Sequence, residues 1–224
     1  MFAVLFEVQP SPDQWDAYLG NAKMLRPELE QIEGFVDNIR YASQTRPGWI
    51  LSLSTWRDEK ALVRWRTTAN HHQVQEQGRA EILLDYHLRV GQLTQDTRPP
   101  EGHSLVEQRL DETEVGAGSA VTLLDARAPQ RFQEAKSTEG VVEWLGFGPF
   151  QRQCLAWDLY EAVLTPGDVI LMATWKDEAA TQPFVMAASF PPEARRRRVR
   201  VVRDYGMYDR REAPQYYPEV TRRA

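Results

Sequence analysis

Two adjacent histidines, His71 and His72 in the run Asn70-His71-His72-Gln73-Val74-Gln75-Glu76, are the side chains best suited to acid–base chemistry. An imidazole titrates close to neutral pH and can also bind a haem iron. Neighbouring helical residues point about 100° apart, so at most one of the two can face a pocket. Two exposed surface histidines are the alternative. His72 and Glu76 have the four-residue spacing that can share a metal, but no third ligand accompanies them and no metal site is expected. Glu7 interrupts an apolar strand between Phe6 and Val8. A carboxylate buried there is expected to have a raised pKa and to act as a base, unless it faces a polar seam or pairs with Arg40 on a neighbouring strand. Asn38 and Arg40 are the polar strand residues placed to hold a substrate carbonyl or phenolate oxygen. Trp65, Trp15 and Tyr86 are aromatic surfaces on which a planar substrate can stack.

Other features carry less chemistry. The cluster Arg195-Arg196-Arg197-Arg198-Val199-Arg200 can bind phosphate or an acidic partner, or form a solvated or ion-paired face. Against a net charge of −5, the second reading is expected, and nucleic acid is not an expected partner. Cys154 is the one cysteine, on a predicted strand without a neighbouring base, so a structural thiol is expected. Gly146-Phe147-Gly148 is followed by Pro149 and makes no phosphate-binding loop, so no nucleotide or flavin cofactor is expected. The absence of a long apolar run and of a secretory signal points to a cytoplasmic chain without membrane contact.

The elements that must position these residues are legible from periodicity and from an internal repeat. Pro47-Gly48-Trp49 through Trp56-Arg57-Asp58-Glu59 recurs as Pro166-Gly167-Asp168 through Trp175-Lys176-Asp177-Glu178, an offset of 119. One gapless register also carries Tyr41 to Tyr160, Asp85-Tyr86 to Asp204-Tyr205, and Val4-Leu5 to Leu123-Leu124. In the first copy, Phe2 to Val8 reads as a strand, and Ser11-Pro12-Asp13-Gln14 as the capped start of a helix that Pro27 kinks or restarts. Two strands flank the Arg46-Pro47-Gly48 turn, Asp58 caps a second helix, and residues 80–90 form a last strand. The order β-α-β-β-α-β is the ferredoxin-like unit, an α+β arrangement whose open sheet face needs a partner. The second copy supplies it within the same chain. The expected division is a module over residues 1–92, a linker over 93–118, a degenerate module over 119–210 and a tail over 211–224.

The runs F-A-V-L-F-E-V, L-R-P-E-L-E-Q-I-E-G-F and S-L-S-T-W-R-D-E-K-A-L-V-R-W-R resemble the antibiotic biosynthesis monooxygenase (ABM) family over about residues 1–92. The second copy is similar only through its W-K-D-E-A and D-Y segments. The resemblance implies a dimeric α+β barrel, here closed within one chain by two tandem modules. It also implies activities ranging from cofactor-independent oxidation of aromatics to haem degradation. The haem-degrading branch uses an Asn, a Trp and, ten residues later, an iron-ligating His. At those positions this chain has Glu7, Trp65 and Gln75, so two of the three depart.

The repeat weighs on the site. At the offset of 119, His71 aligns with Phe190, His72 with Pro191, Glu7 with Ala126, Asn38 with Trp157 and Trp65 with Phe184. A site therefore belongs to the first copy, with the second closing the barrel. Repeated residues such as Trp56, Tyr41 and Tyr86 read as structural by the same logic. The leading expectation is a cofactor-independent monooxygenase of a small aromatic, with Trp65 stacking the substrate. His71 or Glu7 would be the base, and Asn38 or Arg40 would hold the oxyanion. The alternatives are a haem-binding or haem-degrading protein and a non-catalytic ligand-binding module. A homodimer of the fused barrel is an open possibility.

Overall fold

The apolar alternation of Phe2–Pro10 builds β1, with Ala3, Leu5 and Glu7 on one face and Phe2, Val4 and Phe6 on the other. This computed structural model describes residues 1–186 and 189–221. A 3₁₀ turn at Pro12–Gln14 leads into α1, Trp15–Glu30, whose Leu25 and Leu29 are buried. Ser11 does not cap this turn: its hydroxyl donates to Asp13 Oδ1 at 2.5 Å. Pro27 lies near the end of α1, which runs on through it to Glu30. Gly34, at φ +88°, then turns the chain into β2, Phe35–Ser43. β3, Ile50–Trp56, follows a turn containing Gly48 at φ +80°. The Asp58 carboxylate accepts the Ala61 N–H at 2.8 Å and starts α2, Glu59–Arg66. α3, Ala69–Gln77, a π-helical turn at Gly78–Ile82, and β4, Leu83–Asp96, complete the first half. β4 thus runs past the boundary expected at residue 92.

The second half consists of β5 (Ala120–Arg127), α4 (Gln130–Ala135), α5 (Thr138–Trp144), β6 (Ala156–Ala162), β7 (Asp168–Trp175), α6 (Gln182–Met186) and β8 (Arg195–Gly206). All eight strands close into one antiparallel barrel in the order β1-β3-β2-β6-β7-β5-β8-β4. Two seams join the halves. β4 and β8 pair from His87↔Gly206 to Asp96↔Arg197, whereas β2 and β6 pair only from Tyr41↔Ala162 to Ser43↔Tyr160. Leu5, Leu51, Leu53, Leu123, Ile170, Val199 and Val201 fill the barrel with Tyr41 and Tyr160. The outer face of β1–β4 lies under α1–α3, and that of β5–β8 under α4–α6. Among the described residues no helix is long and apolar enough to cross a membrane.

The strand pairing corrects the gapless register. The offset of 119 holds for the hairpin, since Asn38↔Ser54 matches Trp157↔Ala173. It fails for the flanking strands. Glu7 pairs with Leu51, and the residue opposite Ile170 is Asp125, an offset of 118 from Glu7. Leu5 pairs with Arg89 and Leu123 with Arg197, an offset of 108 from Arg89. A one-residue slip moves every side chain of a strand to the other face, so Glu7 matches acidic Asp125 rather than Ala126. The shortfall before β8 corresponds to the stretch that holds α3 in the first half, while the 3₁₀ turn at Ala179–Thr181 and α6 stand at the positions of α2. His71 therefore has no counterpart at Phe190. Phe184 stacks on Trp175, 5.8 Å between ring centroids, with Phe147, Phe150 and Phe190 around it.

Closure of the main seam depends on Gly91. A Cβ there would lie 2.3 Å from Val199 Cγ1 and 2.5 Å from the Arg200 carbonyl oxygen. Gly91→Ala is expected to lower stability by about 1–3 kcal/mol in chemical denaturation. Gly20→Ala, mid-helix with nothing within 4 Å of its Cβ position, is expected to raise it by about 0.5–1 kcal/mol.

Candidate active site

Between α1–α3 and the outer face of β1–β4 lies a cavity of about 210 Å³. Its walls are mainly apolar: Val4, Leu25, Leu29, Leu62, Leu88 and Val90, with the rings of Phe6, Trp56, Trp65 and Tyr86. α3 forms one wall, and among the described residues the second half has no helix in the same place. There the Phe184 cluster fills the corresponding region.

His71, rather than His72, lines this cavity. Its ring stacks on Trp65 at 4.3 Å between centroids, with 17° between the planes. Its Nδ1 lies 3.1 Å from the Trp65 carbonyl oxygen. A carbonyl can only accept, so Nδ1 carries the proton and Nε2 keeps its lone pair, with no partner among the described residues. Burial lowers the His71 pKa to about 4 against the opposing hydrogen bond, so the ring is neutral at pH 7. His72 turns instead to Tyr217, whose hydroxyl it meets at 3.0 Å and which donates to Gln75 Oε1 at 2.9 Å.

Asn38 and Arg40 project from β2 into the same cavity. Asn38 Nδ2 donates to Ser52 Oγ at 3.0 Å and to the Leu53 carbonyl at 3.2 Å, which fixes its amide orientation. Its Oδ1 is buried without a partner. The free atom of Asn38 is therefore an acceptor, and it cannot hold an oxyanion as expected from the sequence. Arg40 retains that capacity: its Nε is unpartnered, and it stands beside Tyr18, whose hydroxyl burial keeps protonated despite Arg40.

Two other expected site residues lie elsewhere. Trp15 does not line the cavity; it packs on the cluster of Val8, Ile50, Ile82 and Leu83 at the start of α1. Glu7 points into the barrel, on the opposite face of β1. Its Oε1 accepts from Arg46 Nη2 at 2.5 Å and from the Tyr160 hydroxyl at 2.8 Å, and its Oε2 accepts from Arg89 Nη2 at 2.6 Å. Arg40 is not among its partners. Burial opposes its charge, but Arg89, His87 and Arg46 outweigh that and hold the carboxyl far below the usual range. Glu7 is thus an ion-pair centre, the reverse of the raised-pKa base expected from an apolar strand.

Sequence reasoning did not single out Arg79, Arg210 or Tyr217. Arg79, in the π-helical turn, donates from Nη1 to the Tyr86 hydroxyl at 2.7 Å and to the Met207 carbonyl at 3.1 Å. Its Nη2 donates to the Pro218 carbonyl at 3.3 Å. Arg210, beyond β8, donates to the same Tyr86 hydroxyl at 2.6 Å and to the Gln215 carbonyl at 2.8 Å. Both guanidiniums lie over the Tyr217 ring. The tail thereby closes the cavity, Gln215 also donating to the Arg66 carbonyl at 3.2 Å. No short-range signal joins Arg79 to Arg210 and Tyr217, which lie more than a hundred positions further along the chain. In the Arg195–Arg200 cluster, by contrast, all the arginines but Arg196 are ion-paired: Arg195 with Asp96, Arg197 with Asp125, Arg198 with Glu178 and Arg200 with Glu107. Cys154 lies in the loop before β6, not on a strand, with its thiol pKa pushed up by burial.

The haem-degrading trio is not assembled. Glu7 is outside the cavity, Gln75 is bonded to Tyr217, and His71 covers a face of Trp65. Among the described residues no group of three His, Cys, Asp or Glu side chains can hold a metal.

Glu7→Ala is expected to destabilise the protein by about 3–5 kcal/mol in urea, because Arg89 is left buried without its carboxylate. The His71 ring is expected to titrate near pH 4 by NMR. Folding depresses this pKa from 6.5, so its contribution to stability is complete above pH 6.5 and is lost as pH falls toward 4. His71→Phe is expected to flatten that part of the stability profile.

Residues 1–77 match the profile described as antibiotic biosynthesis monooxygenase. A relative from Pyricularia oryzae named jasmonate monooxygenase ABM is 51% identical over 228 residues, covering 99% of this chain and all of that one. Among solved structures, an aldoxime dehydratase aligns over 89% of this chain and 80% of its own, at 12% identity and a TM-score of 0.53. A second aldoxime dehydratase, OxdRE with butyraldoxime, covers 89% and 79% at 11% identity and the same TM-score. At that identity the likeness concerns the fold alone. Full-length identity to the Pyricularia oryzae protein, with the profile match over the cavity-bearing half, makes this chain a member of the antibiotic biosynthesis monooxygenase family.

Proposed function

We propose that this protein is a monooxygenase whose substrate occupies the cavity between α1–α3 and β1–β4, and that His71 is its base. The observation that carries the reading is the free Nε2 lone pair of a neutral imidazole inside an apolar, ring-lined space. An apolar wall excludes water from a carbanion and its reaction with O₂. Arg40 is the cation placed to stabilise the oxyanion of the deprotonated substrate, and Asn38 Oδ1 can accept a substrate hydrogen. Two tandem βαββαβ modules account for the barrel: each half has the strand order 4-1-3-2 or 8-5-7-6, and the second has lost α3.

The jasmonate of the Pyricularia oryzae relative suits these walls better than a neutral aromatic does. A jasmonate is an apolar cyclic ketone bearing a carboxylate, and a C–H beside the ketone is acidic enough for a base to remove. Cofactor-independent oxidation of such a carbon balances as CH₂ + O₂ → C=O + H₂O. The substrate supplies all the electrons, and the proton taken by His71 leaves with the water. Simple hydroxylation would instead require two electrons from an added reductant.

Incubating the purified protein with jasmonate and ¹⁸O₂, with and without an added reductant, tests the reading by mass spectrometry. The expected product contains one labelled oxygen atom and forms without reductant. His71→Phe, which retains a ring against Trp65, is expected to lower turnover by roughly 10²–10⁴-fold. An unchanged rate in that variant removes His71 as the base. Product that forms only with reductant removes cofactor independence.

A further inference from the structure

We propose that Arg79 and Arg210, converging on the Tyr86 hydroxyl, form the site that captures the substrate's carboxylate. The inference rests on the oxygenase reading for the word substrate, while its geometry stands independently. The protein has 32 Asp and Glu against 27 Lys and Arg, yet the cavity is lined by Arg40, Arg66, Arg79 and Arg210 and by no acidic residue. None of the four forms an ion pair with a carboxylate of a described residue. Glu59, which acts on Arg66 from a distance, is itself held by Arg109. The well-buried arginines on the barrel strands do have such partners: Arg89 has Glu7, Arg197 has Asp125, and Arg198 has Glu178. Arg79 is 4% exposed, and its Nε has no hydrogen-bond partner among the described residues. Guanidinium charge gathered in an apolar cavity is costly unless an anion joins it, and nothing in the described part of the protein supplies one.

The hydrogen bonds show where that anion fits. Tyr86 accepts from both guanidiniums, at 2.7 and 2.6 Å, which leaves its own O–H proton free to donate. Two forked cations and a hydroxyl donor around one point match the two oxygens of a carboxylate. A phosphate would also attract the charges, but the remaining walls are hydrocarbon and aromatic and suit a single small anionic head on an apolar body. His71 precedes Arg79 by about two helical turns on the same helical stretch. The carboxylate and the reacting carbon are therefore held at separate points of one wall. The ligand class is a small monocarboxylic acid with an apolar ring. Arg210 and Tyr217 come from beyond β8, so the C-terminal segment determines specificity although it lies outside the family-matched residues 1–77.

Quenching of tryptophan fluorescence, with Trp65 and Trp56 in the cavity, measures binding without turnover when the titration is anaerobic. Jasmonate and its methyl ester are the two probes, applied to the full-length protein and to Arg210→Gln and Arg79→Lys. The acid is expected to bind at least roughly tenfold more tightly than the ester. Arg210→Gln, at a partly exposed position that leaves the core intact, is expected to abolish that preference while melting as the parent does. Arg79→Lys keeps the charge but loses the fork and is expected to show an intermediate preference. Equal binding of acid and ester, or an unchanged preference in natively melting Arg210→Gln, overturns the clamp. Preferential acid binding without labelled product overturns the oxygenase reading and leaves the clamp standing.

Discussion

The Glu7 carboxylate is the constraint on which the rest of the structure depends. One buried negative charge draws Arg89 from β4, Arg46 from the β2–β3 turn and the Tyr160 hydroxyl from β6 into the barrel. Those groups reach further. Arg89 donates to Thr174 of β7 at 2.6 Å, and Arg46 donates to Asp158 of β6 at 2.8 Å. Asp158 also accepts from Ser43 and Thr45. The short β2–β6 seam has only three paired positions, so this polar web holds the halves where the ladder is weakest. Each ion is costly to bury alone, and their mutual satisfaction makes the barrel interior tolerate them.

A mirrored pair supports that reading. Asp125 and Arg197 stand on β5 and β8 in the positions that Glu7 and Arg89 hold on β1 and β4, and they too are bonded, at 2.7 Å. The polar core is therefore a feature of both halves, while the cavity walled by α3 lies in the first. The difference is α3, with the π-helical turn behind it. That stretch carries His71, Gln75 and Arg79 and stands off the sheet far enough to leave space. In the second half, aromatic packing of Phe184 on Trp175 occupies the corresponding layer.

The cavity also inverts the charge logic of the protein. Its carboxylates are spent on the barrel interior and the outer strands, leaving the helix-side cavity with cations and no acid. A neutral imidazole and guanidiniums without a carboxylate partner share one apolar space, surroundings that favour an anionic ligand over a cationic one. The same residues define poor surroundings for a cationic or acid-catalysed reaction.

The α+β order, the hairpin around Gly48, the Asp58 cap and the placement of Trp65 and His71 in a broken helical segment between β3 and β4 were legible in the sequence. Local propensity, turn chemistry and periodicity act over a few residues and leave a direct trace. The family resemblance was legible for the same reason. Which face of β1 Glu7 occupies was not, because a strand residue's partners come from other strands, and a one-residue slip in the repeat assigned it the wrong counterpart. Sequence spacing placed Asn38 on the right strand but did not reveal that its donor was already engaged by Ser52 and Leu53. Arg79 and Arg210 are 131 positions apart and meet only because β8 returns beside β4 and delivers the tail over α3. The sequence by itself determined the elements and the types of chemistry present. Tertiary structure decided which charges were neutralised and which remained, because pairing depends on long-range registry that no local pattern encodes.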